Sequence, residues 1–525
     1  MTKRIAIVGT GPMGIYSLQQ LVRSGDPVAV ALFEKGPRAG IGMPYSPDSA
    51  NKAMLANIAS IEIPPVVNTY LEWLGTQPKD KLGSYGLDPN GLHDRQFTPR
   101  LLLGEYFRDQ LLSLVATAQQ SGHRIEIHEN AQVDDIRSDG DILTVTTEGG
   151  FHGQFDKVIL ATGHQFPDED EASRSYFPSP WSGLIEAAIP ATRVGIMGTS
   201  LSSIDAAMAV ANQHGRFRRE GDDLHFDLDS PDLKITLMSR SGLLPEADFY
   251  CPIPYQPLSV LTEKAVAACA ETVAPLDSLF DLIRSELKQA DPAYALRIGL
   301  GGLDADSFAD AYFAEREAAD PFRWARENLQ EVERNKAAKV TVAWRYALLR
   351  MHEVVEDIVP DLSEDDRERF DGGLKKVFVD NYAAVPSESI RRILALRDVG
   401  VLSIMALGPD YDMTRQSDHT HIKVGDQTHR FAVFIDARGQ KPLGSDDIPF
   451  PSLRRALQQA GHEFPEVAED YSLTDTPGYA GRISFGSIPY LMHDRPFVQG
   501  ITACAEIATA IARGITTGRK RRRVS

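Results

Sequence analysis

The feature that most constrains the fold is a glycine-rich turn directly after the first apolar run. The run Ile5-Ala6-Ile7-Val8 leads into Gly9-Thr10-Gly11-Pro12-Met13-Gly14, which has the spacing GxGxxG. In such a motif the first glycine permits a tight strand-to-helix turn, the second lets the backbone approach a pyrophosphate, and the third lets the helix pack on the strand. The unpaired N–H groups at the start of that helix face the phosphates. The motif therefore predicts a dinucleotide site.

An acidic residue at the expected distance supports this prediction. Glu34 directly follows the second apolar run, residues 28–33, and lies twenty positions beyond Gly14. A carboxylate at the end of the second strand accepts a hydrogen bond from the ribose 2′-OH of a dinucleotide. The GxGxxG spacing alone is also compatible with an ordinary glycine-rich turn. The strand before it and the acid after it favour the dinucleotide site.

Charge and cysteine usage exclude several classes of protein. The chain has 55 Lys and Arg against 73 Asp and Glu, a net charge of −18, which argues against a nucleic-acid partner. The three cysteines are far apart and form no CxxC, which argues against a disulfide scaffold and a redox-active vicinal pair. No apolar run approaches about 18 residues and no signal peptide is evident, so we expect a cytoplasmic protein without a membrane span. We find no catalytic triad and no metal-ligand spacing, so the catalytic residues stay unassigned and no metal is expected.

The same plan begins again at Arg193. Residues 194–197 predict a short strand, followed by Gly198-Thr199-Ser200-Leu201-Ser202-Ser203, where serines stand in place of the second and third glycines. The next predicted strand, residues 234–238, ends in Ser239-Arg240. An arginine in place of the acid suits a 2′-phosphate, because a guanidinium pairs with phosphate where a carboxylate repels it. An exposed arginine at a strand end is the alternative.

The strand order of the first copy also recurs downstream. Residues 124–128, 133–136, 142–147 and 155–163 predict strands, the last a buried strand that ends in Ala161-Thr162-Gly163. Residues 401–406, 420–424 and 431–439 repeat that order. This repetition predicts an α/β fold with two Rossmann-like dinucleotide-binding domains and a mostly helical insertion.

The predicted domain boundaries follow from this repeat. Residues 258–397 have apolar residues at helical spacing, which predicts a helical insertion that acts as a substrate or lid region. The basic run at 519–523 predicts a disordered tail. The boundaries are 1–190 plus 440–515 for an FAD-binding domain, 191–257 plus 398–439 for an NAD(P)H-binding domain, 258–397 for the insertion and 516–525 for the tail.

With these motifs the chain resembles the flavoproteins that carry two dinucleotide-binding domains. More narrowly, it resembles the bacterial FAD/NAD(P)-binding family that includes flavin-dependent N-hydroxylating monooxygenases, among them enzymes that act on the amino group of aspartate. The segments that carry the resemblance are Gly9–Gly14, Gly40-Ile41-Gly42-Met43-Pro44-Tyr45, Phe97-Thr98-Pro99-Arg100, Ala161-Thr162-Gly163-His164, Gly198-Thr199-Ser200 and Ser239-Arg240-Ser241-Gly242.

The resemblance implies FAD and NADPH as cofactors. The implied FAD contacts are Gly9, Gly11, Pro12 and Gly14 at the pyrophosphate, Glu34 and Lys35 at the ribose, Val133 at the adenine, Gly42, Tyr45 and Arg100 near the flavin, Ala161, Thr162 and Gly163 beside the dinucleotide, and Gln499, Gly500 and Ile501 at a helix start near the flavin. The implied NADPH contacts are Gly198, Ser200, Ser203, Ser239 and Arg240. Two alternatives stay open: a structural Arg–carboxylate pair at Arg100, and a packing role for the helix after Gln499.

The implied activity is that of an FAD- and NADPH-dependent monooxygenase that uses a C4a-(hydro)peroxyflavin to hydroxylate a small amine or amino acid. Its partners would be this small-molecule substrate and molecular oxygen. Candidate clamps for a substrate carboxylate are Arg323, Arg326, Arg345 and Arg350, for which surface ion pairing is the alternative. A flavin-dependent electron-transfer reductase and a flavin-binding protein without enzymatic activity are the competing functions. The sequence leaves the substrate and the oligomeric state open.

Overall fold

The computed structural model describes residues 2–167 and 172–522. The chain forms two compact units, which we call unit 1 and unit 2. Unit 1 comprises Met1–Phe166, Gln440–His493 and Val498–Ser525, and unit 2 comprises Pro167–Gly439 and Asp494–Phe497.

Unit 1 alternates strands and helices as the sequence predicts. Its elements are β1 Arg4–Val8, α1 Pro12–Arg23, β2 Ala29–Phe33, α2 Tyr70–Gly75, α3 Lys79–Ser84, α4 Arg100–Gln120, β3 Arg124–His128, β4 Val133–Asp139, β5 Ile142–Thr147, β6 His152–Phe155, β7 Lys157–Leu160, α15 Pro451–Ala460, β18 Ile483–Phe485 and α16 Gly500–Arg522, numbered along the whole chain.

The core of unit 1 is a five-stranded parallel sheet in the order β18-β7-β1-β2-β3. Ile5, Ala6 and Ile7 of β1 are completely buried, as expected for a central parallel strand covered on both faces. Val8 pairs with Phe33 on one side and Leu160 on the other, so the carboxyl ends of β1, β2 and β7 lie together. Strands β4, β5 and β6 form a separate antiparallel sheet, and α1 packs against α16.

Unit 2 contains the second copy and the helical segment. Its elements are β8 Tyr176–Phe177, β9 Arg193–Met197, α5 Leu201–Ala211, β10 Gly215–Glu220, β11 Asp223–Leu228, β12 Lys234–Ser239, α6 Glu263–Cys269, α7 Pro275–Ala290, α8 Pro292–Arg297, α9 Phe308–Glu317, α10 Pro321–Ala338, α11 Ala343–Val355, α12 Glu364–Gly372, α13 Leu374–Tyr382, α14 Ser387–Asp398, β13 Leu402–Ala406, β14 Tyr411–Arg415, β15 Thr420–Val424, β16 Gln427–Phe431 and β17 Val433–Asp436.

The sheets of unit 2 repeat those of unit 1. The parallel sheet has the order β13-β12-β9-β17-β8, and β14, β15 and β16 form a three-stranded antiparallel sheet. Strands β9, β12, β13 and β17 therefore take the places that β1, β2, β3 and β7 have in unit 1. The predicted α/β fold with two Rossmann-like modules and a helical insertion is confirmed.

The structure differs from the sequence predictions in three places. Residues 172–190 belong to unit 2 rather than to the first domain, because β8 pairs with β17. Residues 516–522, expected to be disordered, continue α16, which runs through Arg522, and residues 523–525 lie outside the described ranges. The single strand predicted over 155–163 is two strands, since β6 ends at Phe155 and β7 begins at Lys157. In the described part of the chain, no helix combines the length and hydropathy needed to cross a bilayer.

Candidate dinucleotide sites

The first glycine turn of unit 1 connects β1 to α1. Gly9 has a φ of +101°, and its N–H donates to the carbonyl oxygen of Phe33 at 2.9 Å. A Cβ placed on Gly9 would lie 2.2 Å from the carbonyl oxygen of Ala161. Both the left-handed backbone and this close approach to the end of β7 require glycine.

The other two glycines of the motif make further close backbone contacts. A Cβ on Gly14 would lie 2.2 Å from the carbonyl oxygen of Gly9, so α1 packs directly on the turn. A Cβ on Gly11 would lie 3.3 Å from the Cα of Gly42. Gly11 caps α1 without a side-chain hydrogen bond, and Pro12 follows it, so the first N–H groups of the helix have no side-chain cap. This backbone-lined end of α1 fits a pyrophosphate.

Glu34 is held beside this turn. Its Oε2 accepts a hydrogen bond from the Thr10 hydroxyl at 2.5 Å, and its Oε1 accepts one from the Gly36 N–H at 2.9 Å. The Thr10 oxygen in turn accepts from the Gly40 N–H at 2.9 Å. Each oxygen of an ionised carboxylate has two lone pairs, so the partly exposed Glu34 retains acceptor capacity for ribose hydroxyls.

Two other predicted contacts lie on the chain around Glu34. The N–H of Ala131 donates to the Glu34 carbonyl oxygen at 2.8 Å, which brings the connection before β4 alongside Glu34. Val133 is the first residue of β4 and is partly buried. Lys35 is exposed to solvent. The structure therefore places Glu34 and the connection to Val133 together at the end of β2.

The loop from Gly42 to Tyr45 lies against the same turn and against α4. A Cβ on Gly42 would lie 3.1 Å from the Pro12 Cδ. Burial raises the pKa of Tyr45 to about 12, although the positive charge of Arg100 opposes the shift. Arg100 begins α4, and its Nε donates to the carbonyl oxygen of Leu55 at 3.1 Å. Arg100 is therefore close enough to Tyr45 to act on its pKa.

The end of β7 crosses beside the glycine turn. The N–H of Ala161 donates to the Val8 carbonyl oxygen at 2.8 Å. The N–H of Thr162 donates to the Ser487 hydroxyl at 2.9 Å. Gly163 has a φ of +70° and no atom within 4 Å of the position of a Cβ. The segment is therefore anchored at Ala161 and Thr162, and Gly163 faces open space.

The start of α16 lies next to the Tyr45 loop. Gln499 and Gly500 are exposed, and Ile501 is buried in the core of unit 1. Cys504, one turn later, is buried in the same core, and Tyr45 packs against that core. This helix start is therefore anchored in the core by Ile501, while Gln499 and Gly500 are exposed.

Sequence reasoning missed a polar group of residues beside Arg100. The segments 54–61 and 94–100 are joined by backbone hydrogen bonds, such as the one from the Ser60 N–H to the Gln96 carbonyl oxygen at 3.1 Å. Within the described ranges, the buried atoms Asn57 Oδ1, Ser60 Oγ and Gln96 Oε1 have no hydrogen-bond partner. Buried polar atoms of this kind are normally satisfied, so these three are candidate ligand contacts. No spacing rule links positions 57 and 96 in the sequence.

The second glycine turn, in unit 2, uses the same geometry with a serine. Gly198 has a φ of +122°, and its N–H donates to the Met238 carbonyl oxygen at 2.6 Å. A Cβ on Gly198 would lie 2.3 Å from the buried Ser203 hydroxyl and 3.2 Å from the Ala437 carbonyl oxygen. Ser203 therefore fills the place of the third glycine, and Ser200 caps α5 in an extended conformation without a side-chain hydrogen bond.

The strand register corrects the predicted position of Arg240 relative to Glu34. Val8 pairs with Phe33 in unit 1, and Met197 pairs with Met238 in unit 2, so Ser239 rather than Arg240 takes the place of Glu34. The Thr199 hydroxyl donates to the Ser239 oxygen at 3.2 Å, and the Gly242 N–H donates to it at 3.0 Å. Arg240 is the next residue, and it is exposed. A hydroxyl therefore replaces the acid, with a cation beside it.

The candidate carboxylate clamps are mostly paired already. Arg345 is buried and forms an ion pair with Glu246 at 2.7 Å. Arg326 pairs with Asp398 at 2.9 Å, and Arg350 pairs with Glu353. Arg323 is exposed on α10. The structure thus favours ion pairing over substrate binding for Arg326, Arg345 and Arg350.

Two family models and one full-length relative match this chain. The FAD-NAD(P)-binding family matches residues 6–165, and the YdhS-like middle domain family matches residues 262–382. The uncharacterized protein YdhS of Escherichia coli K12 is 54% identical over 531 residues, with 100% of this chain and 99% of that protein covered.

Similar solved structures include two ornithine hydroxylases. The Kutzneria sp. 744 ornithine N-hydroxylase, whose structure contains FADred, NADP+ and L-orn, is 15% identical with a TM-score of 0.51, and 100% of both chains is covered. The ornithine hydroxylase PvdA of Pseudomonas aeruginosa is 13% identical with a TM-score of 0.49, and 98% of both chains is covered.

These findings confirm the predicted fold class. They also confirm that the N-terminal module is of the class that binds FAD and NAD(P). The chain shares its fold with the Kutzneria sp. 744 ornithine N-hydroxylase. With 54% identity across the full length of its relative, the chain belongs to the YdhS family.

Proposed function

We propose that this protein is an FAD- and NADPH-dependent monooxygenase that hydroxylates a small nucleophilic substrate, an amine or an amino acid. The observation that carries the proposal is the pair of glycine turns in one chain, with a carboxylate beside the first and a serine and arginine beside the second. The first arrangement suits a ribose 2′-OH and the second suits a 2′-phosphate.

In unit 1 the chain's own groups fit FAD. The backbone around Gly9, Gly11 and Gly14 and the first N–H groups of α1 would hold the pyrophosphate, and Glu34 would accept from the ribose. Backbone atoms pack closely around this glycine turn, since a Cβ on Gly9 or on Gly14 would collide with a carbonyl oxygen. When bound, FAD supplies hydride acceptance and oxygen activation, chemistry that no side chain offers.

In unit 2 the chain's groups fit NADPH. Gly198 and the start of α5 would hold the pyrophosphate, and Ser200 lies at that helix start. Arg240 would pair with the 2′-phosphate, while Ser239 would donate or accept a hydrogen bond without repelling it. A charge-assisted contact of this type contributes about 1.5–3 kcal/mol, enough to separate NADPH from NADH by about one to two orders of magnitude.

The substrate class rests on the resemblance to N-hydroxylating monooxygenases. The three cysteines, Cys251, Cys269 and Cys504, are buried and form no disulfide. A thiol–disulfide relay needs exposed, paired thiols, so electron transfer through cysteines is disfavoured. The orphaned Asn57, Ser60 and Gln96 atoms are candidate contacts to the flavin or to a polar substrate.

The test is NADPH consumption by the purified holoprotein under oxygen with a panel of amines and amino acids, with hydroxylated product identified by mass spectrometry. We expect NADPH to reduce the bound flavin and one or more substrates to give product in proportion to NADPH consumed. A matched variant, Glu34→Gln, is expected to lose FAD and with it the activity.

Two outcomes contradict the proposal. Peroxide in proportion to NADPH with no product across the panel would indicate an oxidase. Rapid anaerobic turnover with quinones, without oxygen incorporation, would indicate a reductase.

A further inference from the structure

The backbone that follows Arg240 has an unusual set of anchors. Residues 242–248 of unit 2 adopt neither helix nor strand, yet Leu244, Glu246 and Ala247 are buried. The turn at its start is fixed by the Gly242–Ser239 hydrogen bond, and Gly242 has a φ of +70° with Ala406 in close contact. An irregular buried segment must find hydrogen-bond partners outside regular structure.

The helices of the YdhS-like middle domain and the chain after it supply these partners. Arg316 of α9 donates to the Leu244 carbonyl oxygen at 2.7 Å. The Ala247 N–H donates to the Asn328 side chain of α10 at 2.8 Å. Val385 pairs with the segment on both sides, donating to the Glu246 carbonyl oxygen at 2.9 Å and accepting from the Asp248 N–H at 2.7 Å.

Glu246 is at the centre of these contacts. Its carboxylate pairs with Arg345 of α11 at 2.7 Å, accepts from the Trp324 indole N–H of α10 at 2.9 Å, and lies 4.0 Å from the Arg316 guanidinium. We call Glu246, Arg316, Trp324 and Arg345 the Glu246 cluster. Glu246, Arg316 and Arg345 are each at most 6% exposed.

The charges of the Glu246 cluster are compensated inside the protein. Burial alone would raise the pKa of Glu246, but Arg345 and Arg316 outweigh it and hold the pKa below its ordinary value. Arg316 is also paired with Asp380, which accepts a hydrogen bond from the Tyr312 hydroxyl at 2.7 Å. A buried ion pair of this kind adds little stability over a well-packed apolar set, but breaking it leaves a buried charge uncompensated. Within the cluster, Arg345 Nε is buried without a hydrogen-bond partner, and Glu246 is held by the Arg345 ion pair and the Trp324 hydrogen bond.

We infer that Glu246 is a positioning residue for the NADPH 2′-phosphate contact: through the Glu246 cluster, the helical middle domain fixes the 242–248 segment and with it Arg240. The inference rests on the proposed role of Arg240. It assigns a function to the inserted helices, that of a scaffold which sets the selectivity between NADPH and NADH. The cluster acts through the segment and does not touch the nucleotide itself.

The experiment measures the dissociation constants of NADP⁺ and NAD⁺ by calorimetry with the full-length FAD-loaded protein. Arg240→Ala is expected to lower the selectivity for NADP⁺ over NAD⁺ about 10- to 100-fold. Glu246→Gln keeps the size of the side chain and an acceptor for Trp324 but removes the charge. We expect it to lower the selectivity about threefold or more, with no further loss in the double variant, because both changes act on one contact.

The matched control is Glu286→Gln. Glu286 is also buried in unit 2, on α7, and its carboxylate accepts from the backbone N–H groups of Ser259, Val260 and Leu261. It therefore holds a loop in the same manner, but not the one after Arg240. We expect the control to lose stability without a change in selectivity.

The outcomes separate the two hypotheses. If Arg240→Ala leaves the selectivity unchanged, the proposed role of Arg240 is wrong. If Arg240→Ala lowers it and Glu246→Gln does not, or if the two effects add in the double variant, the positioning role is wrong. Should Glu246→Gln fail to fold, Trp324→Phe decides the question, with a selectivity loss in the same direction expected. It removes the indole donor and part of the ring but leaves the ion pair of Glu246 with Arg345.

Discussion

The sharpest test of the first cradle is Gly14→Ala, because two physical effects there have opposite signs. Gly14 lies in α1, where alanine is favoured over glycine by about 0.8–1.0 kcal/mol in helix propensity. The added Cβ would lie 2.2 Å from the Gly9 carbonyl oxygen. That atom belongs to the backbone and cannot rotate away, so the overpacking cost lies in the upper part of the usual range, about 2–3 kcal/mol. We expect a net loss of about 1–2 kcal/mol.

The assay is the thermal midpoint at which the holoprotein releases FAD, followed by flavin fluorescence, together with the flavin-to-protein ratio. A net loss of about 1–2 kcal/mol corresponds to a midpoint lowered by about 2–8 °C in a unit of this size. The control is Gly83→Ala in α3, where nothing lies within 4 Å of the added Cβ, so we expect a midpoint that is unchanged or higher. A Gly14→Ala protein as stable and as fully flavinated as the control would refute the close approach of α1 to the turn.

Three further predictions concern single groups. Ser239→Glu restores a carboxylate at the place that Glu34 has in unit 1, and we expect the preference for NADP⁺ over NAD⁺ to fall at least about tenfold in equilibrium binding, through like-charge repulsion. Cys504 has a pKa raised to about 12 by burial, so we expect a thiol reagent at pH 8 to label it only after denaturation, when all three cysteines should react. Burial lowers the pKa of His352, so the folded protein binds a proton there less readily than the unfolded chain. The free energy of unfolding is therefore unaffected by this group above about pH 6.5 and decreases as the pH falls below that value. We expect the thermal midpoint to drop between pH 7 and pH 5 by less in His352→Gln than in the unchanged protein.

Local patterns were sufficient to predict the two modules. Parallel strands buried on both faces appear as continuous apolar runs, and the glycine turns follow them directly, so Gly9, Glu34 and Gly198 could be placed from spacing alone. The hairpin of β10 and β11 was missed. Its first strand, GRFRRE, is largely exposed and carries no apolar alternation that periodicity could detect.

Contacts between distant positions could not be predicted in this way. Glu246, Arg316, Arg345 and Asp380 meet only after the helices have packed, and each alone resembles an ordinary charged helix or loop residue. Arg345 was accordingly considered as a substrate clamp, although its partner is Glu246. The buried polar atoms of Asn57, Ser60 and Gln96 could not be predicted either, because they are buried only where the segments 54–61 and 94–100 meet.

The register of the two sheets supports the proposal that one local scaffold serves two different cofactors. In both units the hydroxyl of a threonine in the turn donates to a side chain at the carboxyl end of the second strand: Thr10 donates to Glu34, and Thr199 donates to Ser239. A backbone N–H a few residues later bonds the same side chain, from Gly36 in one unit and Gly242 in the other. The local scaffold is therefore the same, and only the group it presents differs. The hydroxyl of Ser239 in place of a carboxylate removes the repulsion that would exclude a 2′-phosphate, and the adjacent exposed Arg240 supplies the attraction. In the proposed site these two changes act together to favour NADPH over NADH, and either change alone would give a smaller preference.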